Sequence, residues 1–578
     1  MILDILKSRF LSAVSGLVDD VSGYIDLVRP SQDVRFGDYQ SNIAMPLAKR
    51  LSRNPREVAG EIISRLRVDD ICESVEVAGA GFINIVLRES FLSECLCKVF
   101  SDVDRMGIEL VKKPKKFIVD YSGPNVAKPM HVGHLRSTVL GNALTKMLRF
   151  RGHIVITDNH LGDWGTQFGM IIFGYKNYLD VDLYSRQPVE ELSRVYRLVR
   201  GKIDGGDQNV AACVLAETAK LHDGNEDNLE IWREVMPYSM NEIDSIYKRL
   251  GITFDYTLGE SFYHPMLSGL VDDLVTRGIA RETDGAIGIF FEGNDTPMLI
   301  RKKDGAYLYG TTDIATVLYR MREFVPDVIL YLTDFRQSLH FEQLFKTAQM
   351  LGINDVEFSH IKFGAVLGDD GKPFKTRSGD TVGLNGLLDD AERRALEIVK
   401  SNDRSELSDE ESIEVARRIG IGAIIYADLS QNRESDYVFS YDKMLAMNGN
   451  TAAYMQYAYA RVRSIFAKGN INVVQFRNEA EASGFKPELK SDAERELAKE
   501  ILKFGDAVDW AIKDYRPNLL TSYLFELANK YSVFFEQCPV LRAENVLTKN
   551  SRLLLCDLTA ATLKRGLELL GINTVERM

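Results

Sequence analysis

The chain has 578 residues, of which 45% are hydrophobic and 27% are charged, and this is the composition of a globular protein long enough for several cores. The formal net charge of −12 argues against a protein that coats nucleic acid by bulk electrostatics. No apolar run reaches about eighteen residues, and the cysteines form no CxxC pair, which argues against a transmembrane helix, a zinc ribbon and a disulfide scaffold. We expect a cytoplasmic protein with reduced thiols.

The first part of the chain, residues 1–112, is predicted to be a small α/β module. Apolar residues at helical spacing open it, and two strand-like segments follow at 75–77 and 82–87. Lysines cluster at its end, at positions 112, 113, 115 and 116. Such a run is either a local basic patch or a plain solvated face.

The second part, residues 113–440, contains one predicted βαβ unit. An apolar strand at 117–119 is followed by the tetrapeptide HVGH at 131–134 and by apolar residues at helical spacing. Gly152 ends this helix before a second apolar run at 154–156. The unit predicts a nucleotide-binding domain of the Rossmann type.

The turn before the predicted helix is a candidate phosphate site. Unpaired N–H groups and the positive end of the helix dipole point toward a ligand there, and Gly133 lets the backbone approach closely. His131 and His134 crowd the same helix end. The alternative is that the two histidines form a buried structural pair.

Two further regions differ in pattern from this unit. Between about 172 and 300 the sequence turns polar, with long charged segments, as expected of an insertion into the nucleotide fold. From 441 to 578 helical periodicity dominates, and we predict an all-α bundle.

Longer motifs make the pattern more specific. They are RFGDYQSN at 35–42, DYSGPNVAKPM at 120–130, LRST at 135–138, GDWGTQFG at 162–169, YMQYAYAR at 454–461, GLELLGI at 566–572 and ERM at 576–578. On these motifs the chain resembles the arginyl-tRNA synthetases, class I aminoacyl-tRNA synthetases whose HIGH signature is HVGH here. The resemblance covers the whole chain. It implies an additional tRNA-binding domain at 1–112, a catalytic domain at 113–440 and an anticodon-binding bundle at 441–578.

The resemblance implies an ATP-dependent ligase. Such an enzyme activates L-arginine to arginyl-adenylate and transfers the arginyl group to the 3′-terminal adenosine of tRNA(Arg), and its first step needs bound tRNA. The carboxylate of the amino acid attacks the α-phosphate, so catalysis consists of positioning and charge stabilisation, for which Lys128, His131 and His134 are candidates. We expect Mg²⁺ with ATP, no resident metal site, no membrane contact and a monomer.

The second class signature, KMSKS, is degenerate in this chain. The corresponding segment is GKPFKTRSG at 371–379. Lys375 is the candidate contact to the triphosphate, with Lys372 or Lys128 as the substitute, and the sequence leaves open which lysine acts. The alternative is that Lys375 and Arg377 only solvate a glycine-bounded loop.

A pocket for arginine must recognise a guanidinium, a planar fork of N–H donors without an acceptor. It therefore needs a carboxylate, further oxygens and an aromatic face. The resemblance assigns these roles to Asn125, Tyr309, Asp313 and Gln337. The alternative for Asp313 is an acid in the first turn of a helix that a threonine caps. A pocket with this many hydrogen bonds needs no editing domain.

Candidate contacts to tRNA lie at both ends of the chain. Tyr454, Tyr457 and Arg461 are spaced i, i+3 and i+7, hence on one helix face, and aromatic and guanidinium groups stack on single-stranded bases. The alternative is a core-facing aromatic stripe with a surface arginine. Asn42 is the candidate contact to the tRNA elbow. Two other classes stay open, namely a small-molecule nucleotidyltransferase and a non-catalytic tRNA-binding relative.

Overall fold

The N-terminal part is an antiparallel sheet packed against helices. The computed structural model describes residues 2–18, 20–31, 33–368, 370–372, 374, 383–401 and 407–578. The elements of this part are α1 (Ile2–Val14), a 3₁₀ helix (Ser22–Leu27), β1 (Val28–Pro30), a 3₁₀ helix (Val34–Phe36), β2 (Tyr39–Ser41), α2 (Ala44–Leu51), α3 (Pro55–Arg65), β3 (Cys72–Ala78), β4 (Phe82–Leu87) and α4 (Glu89–Ser101). The strand order is β1-β2-β4-β3. In β4 every second residue is buried, the pattern of a sheet with one face on a core, and the strands predicted at 75–77 and 82–87 are confirmed.

The central part is built on a parallel sheet of order β12-β11-β5-β6-β7. Its first elements are β5 (Lys116–Asp120), α5 (Val132–Arg151), β6 (Ile154–Asn159), α6 (Thr166–Tyr178), α7 (Val181–Arg186), α8 (Pro188–Asp204), α9 (Gln208–His222), α10 (Glu226–Leu250), β7 (Tyr256–Thr257), α11 (Glu260–Tyr263), a 3₁₀ helix (His264–Met266), α12 (Leu267–Thr276), β8 (Ala280–Thr283), β9 (Ala286–Phe291) and β10 (Asn294–Arg301). They continue with α13 (Tyr309–Glu323), β11 (Val328–Tyr331), a 3₁₀ helix (Phe335–Gln337), α14 (Ser338–Met350), β12 (Glu357–His360), β13 (Val366–Leu367), α15 (Leu384–Lys400), α16 (Asp409–Leu429), β14 (Tyr437–Val438) and α17 (Tyr441–Met444).

The predicted βαβ unit is confirmed. Strands β5 and β6 pair in parallel on either side of α5 in the sequence, and Gly152 ends the helix with φ of 93°, a left-handed conformation that favours glycine. The strand residues Ile118 and Val119 are fully buried. Because β6 lies on one side of β5 and β11 on the other, the strand order reverses at β5, and a crevice forms at such a point in an α/β sheet.

The insertion contains helices α6 to α10 and an antiparallel sheet of order β10-β9-β8. The helices agree with the charged helical pattern of the sequence. The sheet was not predicted, although its central strand β9 is an apolar run of β-branched and aromatic residues, because the region was assigned as a whole from its charged helical segments. Among the described residues, no helix is long and apolar enough to cross a membrane.

The C-terminal part is entirely helical in its regular elements, as predicted. They are α18 (Ala452–Lys468), α19 (Val473–Ala482), α20 (Asp492–Leu502), α21 (Phe504–Lys513), α22 (Asn518–Gln537) and α23 (Val546–Leu569). Helix α23 forms the centre of the bundle, since Leu555, Leu558 and Leu563 have no exposed surface.

A buried carboxylate joins the N-terminal sheet to the helical bundle. Asp38, whose side chain is 6% exposed, accepts hydrogen bonds from Nζ of Lys499 at 2.6 Å and from the N–H of Leu87 at 2.7 Å. Nη2 of Arg495 lies 3.1 Å from the same carboxylate and donates to the carbonyl of Leu87 at 2.6 Å. Burial acts against the charged form of Asp38, but these partners hold its pKa below the usual value. The first and last parts of the chain are therefore in direct contact.

Candidate active site

A cleft of about 750 Å³ opens at the carboxyl edge of the parallel sheet, between the ends of β5 and β11. Its walls come from the segments that follow these strands and from the first turns of α5, α11, α13 and α14. The sequence-predicted residues that line it are Asn125, His131, Gly133, His134, Tyr309, Asp313 and Gln337. The fold thus brings residues more than two hundred positions apart in the sequence into one cleft.

The two histidines of HVGH form the N-terminal cap of α5. Nδ1 of His131 accepts the N–H of Gly133 at 3.1 Å, and Nδ1 of His134 accepts the N–H of His131 at 3.1 Å. Because each Nδ1 is an acceptor, the proton of each ring is assigned to Nε2. Burial, with Lys128 nearby, lowers the pKa of His131, and burial followed by the charge of His131 lowers the pKa of His134 to about 3. Both rings are therefore neutral Nε2–H donors at neutral pH.

Gly133 is fixed by this arrangement. A Cβ at this position would lie 2.8 Å from Cε1 and 2.9 Å from Nδ1 of His131, closer than such atoms approach. A side chain here would push the imidazole out of its capping position. The histidine cap of α5 therefore requires glycine at this position, and it directs the Nε2–H groups of the rings, not the capped backbone N–H groups, toward a ligand.

Asp313 is the central acid of the other half of the cleft. It lies in α13, and its Oδ2 is 2.6 Å from Nε2 of His340. Burial disfavours the charged form of His340, but the hydrogen bond and the charge of Asp313 raise its pKa above the usual value. The alternative interpretation of Asp313 as a first-turn acid behind a threonine cap is wrong, because α13 begins at Tyr309 and its N-cap is Leu308.

The other predicted arginine contacts surround this acid. Tyr309, the first residue of α13, is 72% exposed at the cleft, so its ring face is available to a ligand. Oδ1 of Asn125 accepts the N–H of Ala127 at 3.1 Å, which orients the amide. Gln337 ends the 3₁₀ helix before α14.

Glu260 is a second cleft acid that the sequence interpretation missed. It begins α11, and burial followed by the negative charges of Asp163 and Asp313 raises its pKa to about 8. Asp163 fixes the loop that carries Glu260. Its carboxylate accepts the N–H of Ser261 at 2.9 Å, and a Cβ at Gly259 would lie 2.2 Å from the Asp163 carboxyl carbon. Glu260 falls within the region assigned to the insertion. The available signal was the Gly-Glu-Ser segment, which begins two residues after the short strand β7.

A third acid at the cleft is balanced by a buried arginine. Asp120, at the end of β5, lines the cleft, and Nη2 of Arg320 lies 2.5 Å from its carboxylate and 2.8 Å from that of Asp158. Arg320 has no exposed surface. Burial raises the pKa of Asp120 above its usual value, and the charge of Arg320 opposes that rise.

Neither Lys128 nor Lys372 lines the active-site cleft. Nζ of Lys128 is 5.6 Å from the ring centroid of Tyr196, and Lys128 lines a separate small cavity beside α8. Lys372 is exposed, and its N–H donates to Oδ1 of Asp370 at 3.0 Å. Lys375 and Arg377 lie outside the described residues.

A second cleft, of about 840 Å³, lies on the helical bundle. Tyr457 and Arg461 line it together with Lys468 and the C-terminal residue Met578. Arg461 places its guanidinium 4.0 Å from the ring centroid of Phe535.

The two remaining tRNA candidates lie elsewhere. Tyr454 is half-buried, with its ring centroid 6.1 Å from that of Phe525 and its hydroxyl 3.4 Å from Ser532. Asn42 follows β2 and is also half-buried, and its carbonyl accepts the N–H of Met45.

Comparison with known proteins agrees with this architecture. The family model described as tRNA synthetases class I (R), catalytic domain, matches residues 98–441, the DALR anticodon binding domain matches 455–578, and the arginyl tRNA synthetase N terminal domain matches 4–87. The arginine–tRNA ligase of Rhodopirellula baltica is 43% identical over 100% of this chain and 99% of its own length. The chain belongs to the arginyl-tRNA synthetase family. Another member, the arginine–tRNA ligase of Crocosphaera subtropica, is 44% identical over 97% of this chain and 96% of its own.

A solved arginyl-tRNA synthetase shares the whole fold. The crystal structure of the Plasmodium falciparum arginyl-tRNA synthetase matches with a TM-score of 0.83 and 29% identity, covering 100% of this chain and 99% of that one. The insertion and both terminal parts are included in the match. Within the described ranges of this synthetase, no group of three His, Cys, Asp or Glu side chains is arranged to hold a metal ion.

Proposed function

We propose that the cleft at the edge of the parallel sheet is the active site of an arginine–tRNA ligase. The observation that carries the proposal is the division of the cleft. Asp313 and Glu260 form a site for a cation, and the histidine-capped N-terminus of α5 forms a site for an anion in the same cavity. As a member of the arginyl-tRNA synthetase family, the enzyme uses ATP as a substrate.

The first step joins arginine to AMP. The guanidinium binds the carboxylates of Asp313 and Glu260 and stacks on Tyr309, while Asn125 and Gln337 supply polar contacts. The carboxylate of the amino acid then attacks the α-phosphorus of ATP, a P–O bond forms to the arginine carboxylate, and pyrophosphate leaves with the electron pair of the bond that breaks.

The phosphates are held by neutral donors and by cations. His131 and His134 donate Nε2–H groups to phosphate oxygens at the positive end of the α5 dipole, with Gly133 leaving the His131 ring in its capping position. Lys372 and Lys375, with Lys128 as the third candidate, supply positive charge to the triphosphate. Mg²⁺ bound to ATP would neutralise part of the charge of the triphosphate.

The second step uses the tRNA. The 2′-hydroxyl of the terminal adenosine attacks the carbonyl carbon of arginyl-adenylate, and AMP leaves. Tyr457, Arg461 and Tyr454 on the bundle bind bases of the anticodon arm, and Asn42 on the N-terminal sheet contacts the elbow. This division assigns residues 1–112 to tRNA binding, 113–440 to catalysis and 441–578 to anticodon recognition. The enzyme works as a monomer in the cytoplasm, where tRNA is charged for translation.

Aminoacylation of tRNA(Arg) with labelled arginine tests the function directly. We expect charging that depends on ATP and on arginine, and ATP–pyrophosphate exchange that is nearly absent until tRNA is added. A protein that binds tRNA without charging it would be the non-catalytic relative. Exchange that proceeds equally without tRNA would contradict the proposed coupling and would favour a small-molecule nucleotidyltransferase.

A further inference from the structure

A buried arginine connects the HVGH helix to the strand pair β13–β14. Arg136 follows the two histidines in α5, and its side chain is 1% exposed. Its Nη1 donates to the carbonyl of Gly364 at 2.8 Å and to the carbonyl of Ser435 at 2.9 Å. Its Nε lies 3.2 Å from Oδ2 of Asp428 in α16. One guanidinium thus contacts three separate segments of the chain.

The pair Arg136–Asp428 lies entirely inside the protein, since Asp428 has no exposed surface. Taking two charges out of water costs free energy that their attraction barely repays, and apolar residues of the same volume often stabilise a fold better. Stability alone therefore gives a weak reason for the pair. Its specific effect is to fix the segments that its directional bonds join. A lysine has a single nitrogen, so it cannot supply donors at both the Nη1 and the Nε positions that these contacts use.

The two carbonyls that Arg136 binds stand where β13 and β14 begin. The N–H of Ala365 donates to Oδ1 of Asp436 at 2.6 Å, and β13 then pairs in parallel with β14. The backbones meet closely at this point, because a Cβ at Gly364 would lie 2.6 Å from Oδ1 of Asp436. Arg136 therefore fixes the segments that directly precede both strands.

Strand β13 connects Gly364 to the segment that carries Lys372. The N–H of Gly368 donates to the carbonyl of Lys372 at 2.8 Å, and the N–H of Phe374 donates to the carbonyl of Val366 at 3.1 Å. Phe363, which precedes Gly364 in the sequence, lines the active-site cleft. The contact with Arg136 therefore fixes the position of the segment that carries Lys372 relative to α5.

We propose that Arg136 is a positioning residue, which sets the spacing between the histidine end of α5 and the lysine-bearing segment after β13 so that both act on one ATP molecule. The inference rests on the proposed function. It gives Arg136 a role in the use of ATP but none in the binding of arginine, because Asp313 and Glu260 approach the cleft from α13 and α11.

The test is steady-state ATP–pyrophosphate exchange with tRNA present, for the wild type and for Arg136→Lys. We expect the KM for ATP to rise about tenfold or more, because a fixed charged donor is lost from two acceptors, and the KM for arginine to change less than about twofold. Asp428→Asn, which keeps the shape of the side chain, should shift the same constant in the same direction. This second variant decides the matter if the lysine variant does not fold.

A double variant separates positioning from stability. Arg136→Met combined with Asp428→Leu removes both buried charges, so we expect it to recover the unfolding temperature lost in Arg136→Met alone. It should keep the raised KM for ATP, because the carbonyls of Gly364 and Ser435 still lack their donor. Recovery of both properties would overturn the proposal.

Arg552→Lys serves as the matched control. Arg552 is a buried arginine of the helical bundle, with Nε 2.7 Å from Glu494 and Nη1 donating to the carbonyl of Pro539 at 2.9 Å. The variant Arg552→Lys should lower the unfolding temperature and leave the KM for ATP unchanged. An unchanged KM in Arg136→Lys would overturn the inference. Failure of the wild type to charge tRNA would instead refute the proposed function.

Discussion

Nε2 of His340 lies 2.6 Å from Oδ2 of Asp313, so the acid at the centre of the proposed guanidinium site already has a partner before the substrate arrives. Glu260, in the same cleft, has a pKa raised to about 8 by burial and then by the negative charges of Asp163 and Asp313. Both titrating groups oppose a guanidinium when they are protonated. Neutral Glu260 offers no charge, and cationic His340 competes for Asp313.

We therefore predict that arginine binds more tightly as the pH rises toward 8. Bound guanidinium favours ionised Glu260 and neutral His340, so binding releases protons below these pKa values. The dissociation constant should fall by at most about tenfold per pH unit per group between pH 6 and 8. Titration calorimetry at several pH values, in buffers of different ionisation enthalpy, measures the affinity and the proton release.

Glu260→Gln supplies the control for this pH dependence. The variant should bind arginine more weakly at pH 8.5 and lose the part of the pH dependence that arises near pH 8, while the part due to His340 stays. A wild-type affinity that is constant from pH 6 to 8.5 would contradict the prediction.

The second prediction concerns Asp313→Asn. Removing the charge while the shape is kept leaves the guanidinium without its main counter-charge, so we expect arginine binding to weaken by about 2–5 kcal/mol, which is about 30-fold or more. ATP binding should stay within about twofold, because the phosphate site is at α5. Calorimetry with each substrate measures both constants. Equal losses for the two substrates would indicate a damaged fold instead of a lost contact.

The third prediction concerns Gly133→Ala. The added methyl group would meet His131 at 2.8 Å, so the imidazole must leave its capping position. We expect the rate of adenylate formation to fall about tenfold or more, since the donors that face the phosphate are displaced. The free energy of unfolding should change by no more than about 1 kcal/mol, because the lost cap is partly offset by the better helix propensity of alanine.

Gly60→Ala is the matched control for Gly133→Ala. Gly60 lies inside α3, and nothing lies within 4 Å of a Cβ at this position. The control should stabilise the protein by about 0.5–1 kcal/mol without a change in rate. Equal rates for both alanine variants would show that the position of the His131 ring does not matter.

The fourth prediction concerns Asp38→Asn. The change leaves Arg495 and Lys499 facing a neutral amide in a largely buried place, so we expect a loss of about 2–3 kcal/mol of stability and a raised KM for tRNA. The KM values for ATP and arginine should stay unchanged, because Asp38 does not line the cleft. Thermal unfolding and charging kinetics measure the two effects.

The same carboxylate gives this stability a pH dependence of known sign. Its pKa is lowered in the folded protein, so its contribution is present above the unfolded value of 3.8 and is lost as the pH falls through the folded value. Asp33→Asn is the control, since Asp33 pairs with Arg35, whose side chain is 79% exposed. It should change neither stability nor kinetics. A similar effect of both variants would contradict the role assigned to Asp38.

Local patterns predicted the elements with strong periodicity. The strand before HVGH, the helix that Gly152 ends and the C-terminal helices were predicted from apolar runs and helical spacing. Strand β5 is buried on both faces and α5 on most of its surface, so the apolar content of these segments carried the signal. The sheet β8–β10 escaped prediction, although the Ile and Phe residues of β9 favour a strand, because the charged helical segments around it set the interpretation of the whole region.

The site was predictable only where a motif marks it. Asp313 and Gln337, which line the cleft, were assigned through resemblance, whereas Glu260 lies in no quoted motif and Asp120, although it opens the motif at 120–130, was given no role. Their positions in the cleft depend on packing between distant segments. The buried partner of Asp120, Arg320, has no local signal either. Side chains such as these are recognised by the charges that the fold places around them.

The rings of His131 and His134 face the cleft and at the same time close the first turn of α5 through their Nδ1 atoms. A nucleotide that accepts hydrogen bonds from Nε2 of both rings polarises the imidazoles. It thereby strengthens the hydrogen bonds that their Nδ1 atoms accept from the amides of that turn. Bound nucleotide should therefore slow the hydrogen–deuterium exchange of the backbone amides of His131 and Gly133, even before any chemical step.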